Sequence, residues 1–462
     1  MPADLRKPRP FAALWVAARI AALALTSMAG AALPAGAQGG AAPHPQGGIH
    51  LGVATCSGST CHGAAEPSRG SPIRQDEYLI WSQETDPHRI DSHHRAYAVL
   101  LGDRALRIAH NLGLPDAASA NVCLDCHADN APPDRRGPQF RLSDGVGCEA
   151  CHGAASGWLG VHLTGAGHKA NLAAGLYPTD QPLARARKCL SCHLGDAQRV
   201  MTHRIMGAGH PRLPFELDTF TAIEPAHFVV DKSYVARKGA VNGAQIWAIG
   251  QAAELAGRMD RVLDPKNAPR GVDPELTLFD CEACHHGIDQ IRWTASGAAE
   301  VGPGSLRLYD ASAVLLAVIA ARVAPEAETS LRESLRALHR ATAGDWDAVR
   351  HQAEHLRAAA NGLVPILQGH DFTRDDMKAL ADGVTAAALS GKDAEYSFAE
   401  QTTLALDAII AAMRSSGYVT DTSMAAINTA LGALYRSLGD GDIYRPAAFA
   451  QAIRELRRAM PQ

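Results

Sequence analysis

The sequence predicts a mostly α-helical protein with little regular sheet and a C-terminal helical bundle. Between Gln38 and Gly304 the chain is rich in Gly, Pro and His, its helical stretches are short, and little of it alternates like a strand. From about Ser305 onward cysteine is absent, and apolar residues recur at intervals of three and four. All 10 cysteines lie in the first part, in pairs that are each followed directly by histidine.

The amino terminus has the pattern of a secretory signal. It combines a basic start, an apolar stretch from Phe11 to Ala32 and the small residues Ala35-Gly36-Ala37 at a cleavage position. We therefore expect residues 1–37 to be a signal peptide and the mature chain to be periplasmic. A retained membrane anchor is the alternative, because the apolar stretch is near the length that spans a bilayer. No later stretch reaches the roughly 18 uncharged apolar residues of a span, so none is expected in the mature chain.

Five motifs between residues 38 and 304 share two cysteines and a following histidine. Two thiols at this spacing can add to the two vinyl groups of one haem, and the histidine is then held against the iron. In chain order the motifs are Cys56, Cys61 and His62; Cys123, Cys126 and His127; Cys148, Cys151 and His152; Cys189, Cys192 and His193; and Cys281, Cys284 and His285. The first is widened by two residues, but its loop can still span both vinyls. The sequence predicts five covalently attached haem c groups, with these histidines as proximal iron ligands.

Structural zinc and disulfides are the competing interpretations of paired cysteines. Zinc knuckles do not require a histidine directly after the second thiol, and they usually come in two halves of one four-ligand site. A disulfide framework is typical of short secreted chains, whereas 462 residues with 47% hydrophobic content can bury a core unaided. Five histidines at one offset favour haem.

Distal iron ligands must come from outside the motifs, where histidines outnumber the vacancies. His162 and His203 each lie 10 residues after a proximal histidine, so these short loops can fold back over a haem. Methionine is the alternative, at Met201 or Met206. The histidine candidates are His88, His93, His94, His110, His162, His168, His203, His210, His227 and His286. Their surplus favours ligation by histidine throughout.

Residues 305–462 are predicted to form a haem-free bundle of six or seven helices. The helical patterns cover Leu306–Val323, Glu328–Thr342, Trp346–Leu363, Thr373–Leu389, Glu395–Ser415, Ser423–Leu438 and Ala447–Met460. His339, His351, His355 and His370 fall on polar or boundary positions, and we interpret them as surface histidines. The bundle is either a scaffold beside one haem or a docking surface, and its partner would be a periplasmic redox protein or a second copy of the chain in a homo-oligomer.

Charge and composition exclude one class of partner. The net charge of −4 is small for this length, and the aromatic content is only 5%. Since no basic patch with interleaved aromatic residues is present, nucleic-acid binding is not expected.

Several phrases of the sequence resemble the cytochrome c-554 family. They are Asp144 to Gly153, Trp158 with His162, His93 to Tyr97, and Met206 to Leu217. The resemblance covers roughly Gly52 to Gly287 and implies a multihaem electron carrier, since the family's tetrahaem prototype carries electrons away from hydroxylamine oxidation. It also implies distal ligation by His93 and His210, with His162 and His203 next. We add His168 as the fifth distal candidate.

Two functions remain open at this point. In the first, all irons have two histidine ligands and the haems form an electron wire between periplasmic partners. In the second, one five-coordinate haem, as in the family prototype, makes the chain a multihaem oxidoreductase for a small nitrogen or sulfur compound. The chain departs from the prototype in its fifth motif, its widened first motif and its long C-terminal bundle. The distal ligand on each iron decides between the two functions.

Overall fold

A computed structural model describes residues 48–68, 74–83, 91–240, 242–269, 274–285, 307–390, 395–439 and 444–461. The predicted signal peptide and the candidates His88 and His286 lie outside these ranges. Within them, regular structure consists of α-helices, short 3-10 helices and two isolated bridges, His50 to Arg136 and Phe279 to Leu308. The predicted fold class is therefore confirmed.

The motif region is built from short helices. They are α1 (Val53–Cys56), α2 (Glu77–Ser82), α3 (Asp103–Leu112), α4 (Asn121–His127), α5 (Cys148–His152), α6 (Leu159–Leu163), α7 (His168–Ala173), α8 (Pro182–His193), α9 (His203–Gly207), α10 (Leu217–Ile223) and α11 (Lys232–Lys238). Gly113, at φ +75°, ends α3 in the left-handed region that favours glycine. Few of these helices have the length to be stable alone, so contacts between them must hold them in place.

Longer helices follow the fourth motif. They are α12 (Gly243–Leu263), α13 (Ala311–Val323), α14 (Pro325–Ala341), α15 (Trp346–Gly369), α16 (Arg374–Ser390), α17 (Tyr396–Ser415), α18 (Asp421–Leu438) and α19 (Pro446–Ala459). Helices α13 to α19 match the seven predicted patterns. Helix α14 begins earlier than predicted because Pro325 occupies its first turn, where its missing N–H costs nothing. Helix α15 continues past Pro365 because Val364 and Leu367 are buried in the core.

Helix α12 connects the motif region to the bundle. It precedes the predicted boundary at Gly304, but Trp247, Ile249 and Leu255 on α12 are fully buried in one core with the helices after residue 307. On another face, Ile246 and Ala253 pack in a smaller cluster with Ala186 and Leu190 of α8 and with residues of α10. Helix α8 carries the fourth motif, so α12 positions that motif against the bundle.

One surface histidine was predicted wrongly. His339 is completely buried, and its Nε2 lies 3.1 Å from Asp310 Oδ2 at the start of α13. This hydrogen bond between α14 and the residue before α13 gives the ring a polar partner, which a helical pattern alone cannot reveal. His351 and His355 are exposed, as predicted, and His370 is half-buried beside Asp376.

Candidate functional site

The five motifs end helices or tight turns. Helix α4 contains the second motif, α5 the third and the last turn of α8 the fourth, while a 3-10 helix at Cys281–Ala283 begins the fifth. The widened first motif starts at the end of α1, and its loop turns back so that the His62 N–H donates to the Cys56 carbonyl (3.1 Å). All 10 cysteines are described and none forms a disulfide. Each motif thus presents two thiols and one imidazole from a short stretch of backbone.

Every motif histidine faces a second histidine from a distant part of the chain. The ring centres are 5.9 Å apart for His62 and His162, 6.3 Å for His127 and His210, 6.3 Å for His152 and His227, 6.3 Å for His193 and His93, and 6.1 Å for His285 and His203. We call these the five histidine pairs. Their common spacing is too wide for ring stacking in contact and too regular for unrelated surface side chains.

The spacing matches two imidazoles on opposite sides of one metal ion. An imidazole nitrogen lies about 1.1 Å from its ring centre and binds a metal at about 2.0–2.1 Å, so the two ring centres should be about 6.2 Å apart. The residues present therefore fit haem iron between each pair. They do not fit zinc held by cysteine, because the groups of three or more ligand side chains that converge among the described residues are His50, Asp129 and Glu149, and Asp91, His93 and Glu224.

The pairs fall into two classes of ring orientation. The ring planes are closer to parallel for His62 with His162 (20°) and His203 with His285 (31°). They are nearly perpendicular in the other three pairs, at 78°, 85° and 86°. The nearly parallel class includes the widened first motif and the fifth motif.

Four of the five predicted distal candidates lie in these pairs, namely His93, His162, His203 and His210. His168 instead directs its Nε2 at Asp180 Oδ2, at 2.9 Å. The fifth place is taken by His227, which is in the loop between α10 and α11 and faces His152. No local pattern distinguished His227 from the other candidate histidines, because its partner is far away in the sequence.

Burial keeps two motif histidines neutral. Burial lowers the pKa of His152 to about 4, and the nearby His227 adds to the effect. Burial also lowers the pKa of His193 to about 4, with a contribution from His93. Both imidazoles are therefore uncharged at pH 7, which is the form that binds metal.

The Nδ1 atoms of the paired rings, which we call their outer nitrogens, contact different kinds of hydrogen-bond acceptor. His62 Nδ1 lies 3.0 Å from Glu77 Oε2, and this hydrogen bond raises the pKa of His62. The corresponding Nδ1–H groups of His127 and His210 donate to the backbone carbonyls of Ala96 (2.9 Å) and Pro211 (2.8 Å). Such contacts engage Nδ1, orient the ring and leave Nε2 on the other side of it available to a metal.

Asn171 contacts the ring that faces His62 of the first motif. Its Nδ2 lies 3.3 Å from His162 Nδ1, and its buried Oδ1 has no hydrogen-bond partner among the described residues. Rotating the amide by half a turn lets His162 Nδ1–H donate to Oδ1, which leaves Nε2 directed at His62.

A buried carboxylate joins the first and third motifs. Glu149 Oε1 accepts hydrogen bonds from the N–H groups of Leu51 (2.9 Å) and Ala155 (2.6 Å), and Oε2 accepts from Gly52 (2.7 Å). These contacts hold the start of α1 against α5, and the Cys56 thiol contacts the Cys148 thiol. The interior position of Glu149 in its motif is therefore structural.

Gly145 supports the ring pair of the fourth motif. Its φ is +72°, and a Cβ at this position would lie 2.7 Å from the carbonyl oxygens of His93 and His94. The next residue, Val146, donates its N–H to the His93 carbonyl at 3.0 Å. The loop that precedes the third motif thus holds His93, which faces His193.

The bundle contacts the fifth motif directly. Asp280, which precedes Cys281, accepts hydrogen bonds from Ser397 at the start of α17 (2.8 Å) and from Arg307 (2.9 Å). Arg212 also forms an ion pair with Glu400 on α17 at 2.9 Å. The first turns of α17 therefore support the backbone that carries the fifth motif.

Residues 58–153 match the family model of cytochrome c554 and c-prime. Over this segment the chain is cytochrome c-554-like. The match supports covalently bound haem c and a role in electron transfer, as the cytochrome c-554 resemblance implied. The segment contains the second and third motifs and the Cys61-His62 end of the first.

The other comparisons found no relatives. No curated protein and no solved structure matches the chain. Among the residues that the structure describes, no helix has both the length and the apolar composition that crossing a bilayer requires.

Proposed function

We propose that the chain is a pentahaem cytochrome c that transfers electrons between redox partner proteins in the periplasm, with every iron held by two histidines. Haem c would supply a one-electron ferric–ferrous couple at each motif. The observation that carries the proposal is the set of five histidine pairs, and above all the pair of His62 and His162 at the widened first motif. A histidine on each side of the iron leaves no vacant position for a substrate, which favours a carrier over an oxidoreductase.

We propose the proximal ligands His62, His127, His152, His193 and His285, each opposite the histidine that it faces. His227 takes the fifth distal position in place of His168, because His227 faces His152 at 6.3 Å whereas His168 is engaged by Asp180. The 10 motif cysteines would hold the haems by thioether bonds.

Contacts between motif cysteines support a continuous route for electrons. The Cys56 side chain contacts Cys148, which joins the first motif to the third. The Cys126 side chain contacts Cys192, which joins the second to the fourth. Cys151 and Cys189 interact electrostatically and connect the third motif to the fourth. We infer the order first, third, fourth, second along the wire.

The fifth motif would extend this route toward the bundle. Arg212 lies near both Cys281 and Glu400, and it follows His210 of the second motif's pair by two residues. We infer that the fifth haem is next to the second and that the bundle supports it. The partner that would dock there is a redox protein or a second copy of the chain.

Intact mass and a pair of matched variants test this proposal. The exported protein should carry the mass of five haems. His227→Ala should convert one low-spin iron to high spin in the electron paramagnetic resonance (EPR) spectrum, because it removes one axial ligand. His168→Ala, which removes another histidine of the same region, should leave all irons low spin. Fewer than five haems, or the opposite behaviour of the two variants, would reject the assignment.

A further inference from the structure

Among the described residues, two of the five histidine pairs contain a ring whose Nδ1 contacts a carboxylate. Glu77 Oε2 lies 3.0 Å from His62 Nδ1, and Asp91 Oδ1 lies 3.1 Å from His93 Nδ1. A second carboxylate, Glu224, lies 3.8 Å from the same nitrogen of His93. At the second motif both rings donate to neutral backbone carbonyls instead. The first and fourth motifs therefore differ from the second in charge beside the axial ligands.

We propose that Glu77 and Asp91 are positioning residues that lower the reduction potentials of the irons at the first and fourth motifs. The inference rests on the proposed ligation by His62 and His93. An imidazole that donates to a carboxylate is a stronger electron donor than one that donates to a carbonyl. Stronger donation and nearby negative charge stabilise the ferric iron, which carries one more positive charge than the ferrous iron.

Burial strengthens the effect at the fourth motif. The Asp91 side chain is 1% exposed, against 21% for Glu77. A charge away from water interacts more strongly with its neighbours, so Asp91 should shift its iron further than Glu77. Asp91 also accepts the His93 backbone N–H at 2.8 Å, which holds the carboxylate in place beside the ring.

The fourth motif is central in the proposed wire, since it contacts the second and third motifs. An iron of low potential at the fourth motif would be the first of these three to lose its electron. Electrons would then remain on the irons of the second and third motifs, on either side of it. The two carboxylates thus give the chain an uneven potential profile, which a set of identical bis-histidine sites would lack.

Glu77→Gln and Asp91→Asn test the inference by spectroelectrochemical titration of the five-haem protein. Each amide retains a hydrogen-bond acceptor but removes the charge, so each variant should raise one midpoint potential and leave all irons low spin. Asn171→Asp adds a carboxylate at the other ring of the first pair and should lower the potential of the iron that Glu77→Gln raises. Glu333→Gln on the exposed face of α14 is the control and should change nothing.

The outcomes separate this inference from the proposed function. Five low-spin irons whose potentials are the same in Glu77→Gln, Asp91→Asn and the parent protein would overturn the inference and leave the bis-histidine carrier intact. A variant that becomes high spin would show that its carboxylate only keeps the ring in place, which also overturns it. If the parent protein itself lacks five low-spin irons, the proposed function fails first.

A separate observation on α15 points to a metal site away from the motifs. His351 and His355 are one turn apart on an exposed face, and their Nε2 atoms are 3.3 Å apart. Two nitrogens bound at about 2.0–2.1 Å to one tetrahedral ion are about 3.3–3.4 Å apart. We infer that this pair binds a divalent transition-metal ion of the Zn²⁺ class, with water completing the coordination.

Calorimetric titration of the five-haem protein with Zn²⁺ tests this site. His351→Asn and His355→Asn should each weaken one binding event by at least about tenfold, because a single imidazole loses the chelate. His110→Asn removes an exposed histidine that has no second histidine one helical turn away, and it should leave the titration unchanged. Equal Zn²⁺ binding in the parent and both pair variants would overturn the inference, as would no binding in the parent.

Discussion

The motif region and the C-terminal bundle are stabilised in different ways. In the bundle, helices of 13 to 24 residues bury aliphatic side chains in one core, and Leu356, Leu380 and Ile409 are fully buried there. In the motif region the helices α1 to α11 have at most 12 residues. This region contains the five histidine pairs, whose ring centres are about 6 Å apart. The bundle therefore contains its own large core, whereas the buried clusters of the motif region are small and we expect that region to depend on bound haem.

The largest expected effect is the loss of haem. The full chain expressed without haem attachment should remain helical from α12 through α19, while residues 48–240 become open to protease and to hydrogen exchange. The physical reason is that helices α1 to α11 are too short to be stable alone, and the proposed haem irons would join the five histidine pairs. Equal protection of both regions in the haem-free chain would show that the motif region does not need haem for its stability.

Core truncation in the bundle should have the next largest effect. Leu356→Ala on α15 removes a fully buried side chain and should reduce the free energy of unfolding of the bundle by about 2–5 kcal/mol. Chemical unfolding followed by circular dichroism measures this loss. The haem absorbance of the folded protein should not change, and a shift in that spectrum would show that the two regions are not separable.

A smaller effect is expected where the motif region has its own polar support. Glu149→Gln replaces one of two accepting oxygens by an amide that cannot accept, so one or more of the N–H groups of Leu51, Gly52 and Ala155 loses its partner. We expect a loss of about 1–3 kcal/mol in the unfolding of the motif region. Unfolding monitored by haem absorbance should detect it, and a loss seen only in the bundle signal would contradict this role.

The smallest effect concerns pH and the bundle alone. Burial opposes ionisation of Asp376, but hydrogen bonds from Thr373, Arg322 and His370 lower the pKa of its carboxyl to about 2. Because the folded pKa is below the unfolded value of about 3.9, this stabilisation is present above pH 4 and is lost between about pH 4 and 2. Asp376→Asn should remove on the order of 1–2 kcal/mol at pH 7 and flatten this part of the pH profile. An unchanged profile in denaturant titrations would reject the assignment.

The two regions also differ in how far the sequence predicted them. Seven helical patterns after residue 305 correspond to α13 to α19, because a helix with one apolar face repeats every three to four residues. Pattern did not anticipate the length of α12, which is buried on nearly all sides. It also failed for His339, whose partner Asp310 comes from another helix.

In the motif region, local spacing was enough to identify the five motifs. The histidine that faces each motif depends on contacts between distant segments, which spacing does not reveal. His93 precedes its partner His193 by 100 residues, and His227 follows His152 by 75. The choice between His168 and His227 needed the fold, since both are single histidines in loops or short helices. The proposed order of the motifs for electron transfer could not be obtained from spacing for the same reason.

The most direct test of ligation by two histidines at every iron is EPR of the oxidised five-haem protein with spin quantification. Ligation of every iron by two histidines predicts five low-spin irons: three strongly anisotropic signals from the perpendicular ring pairs and two more rhombic signals from the pairs at 20° and 31°. Addition of nitrite or hydroxylamine should change none of them. A high-spin ferric signal that shifts on addition of either compound would contradict ligation by two histidines at every iron. It would identify an iron with an open coordination position.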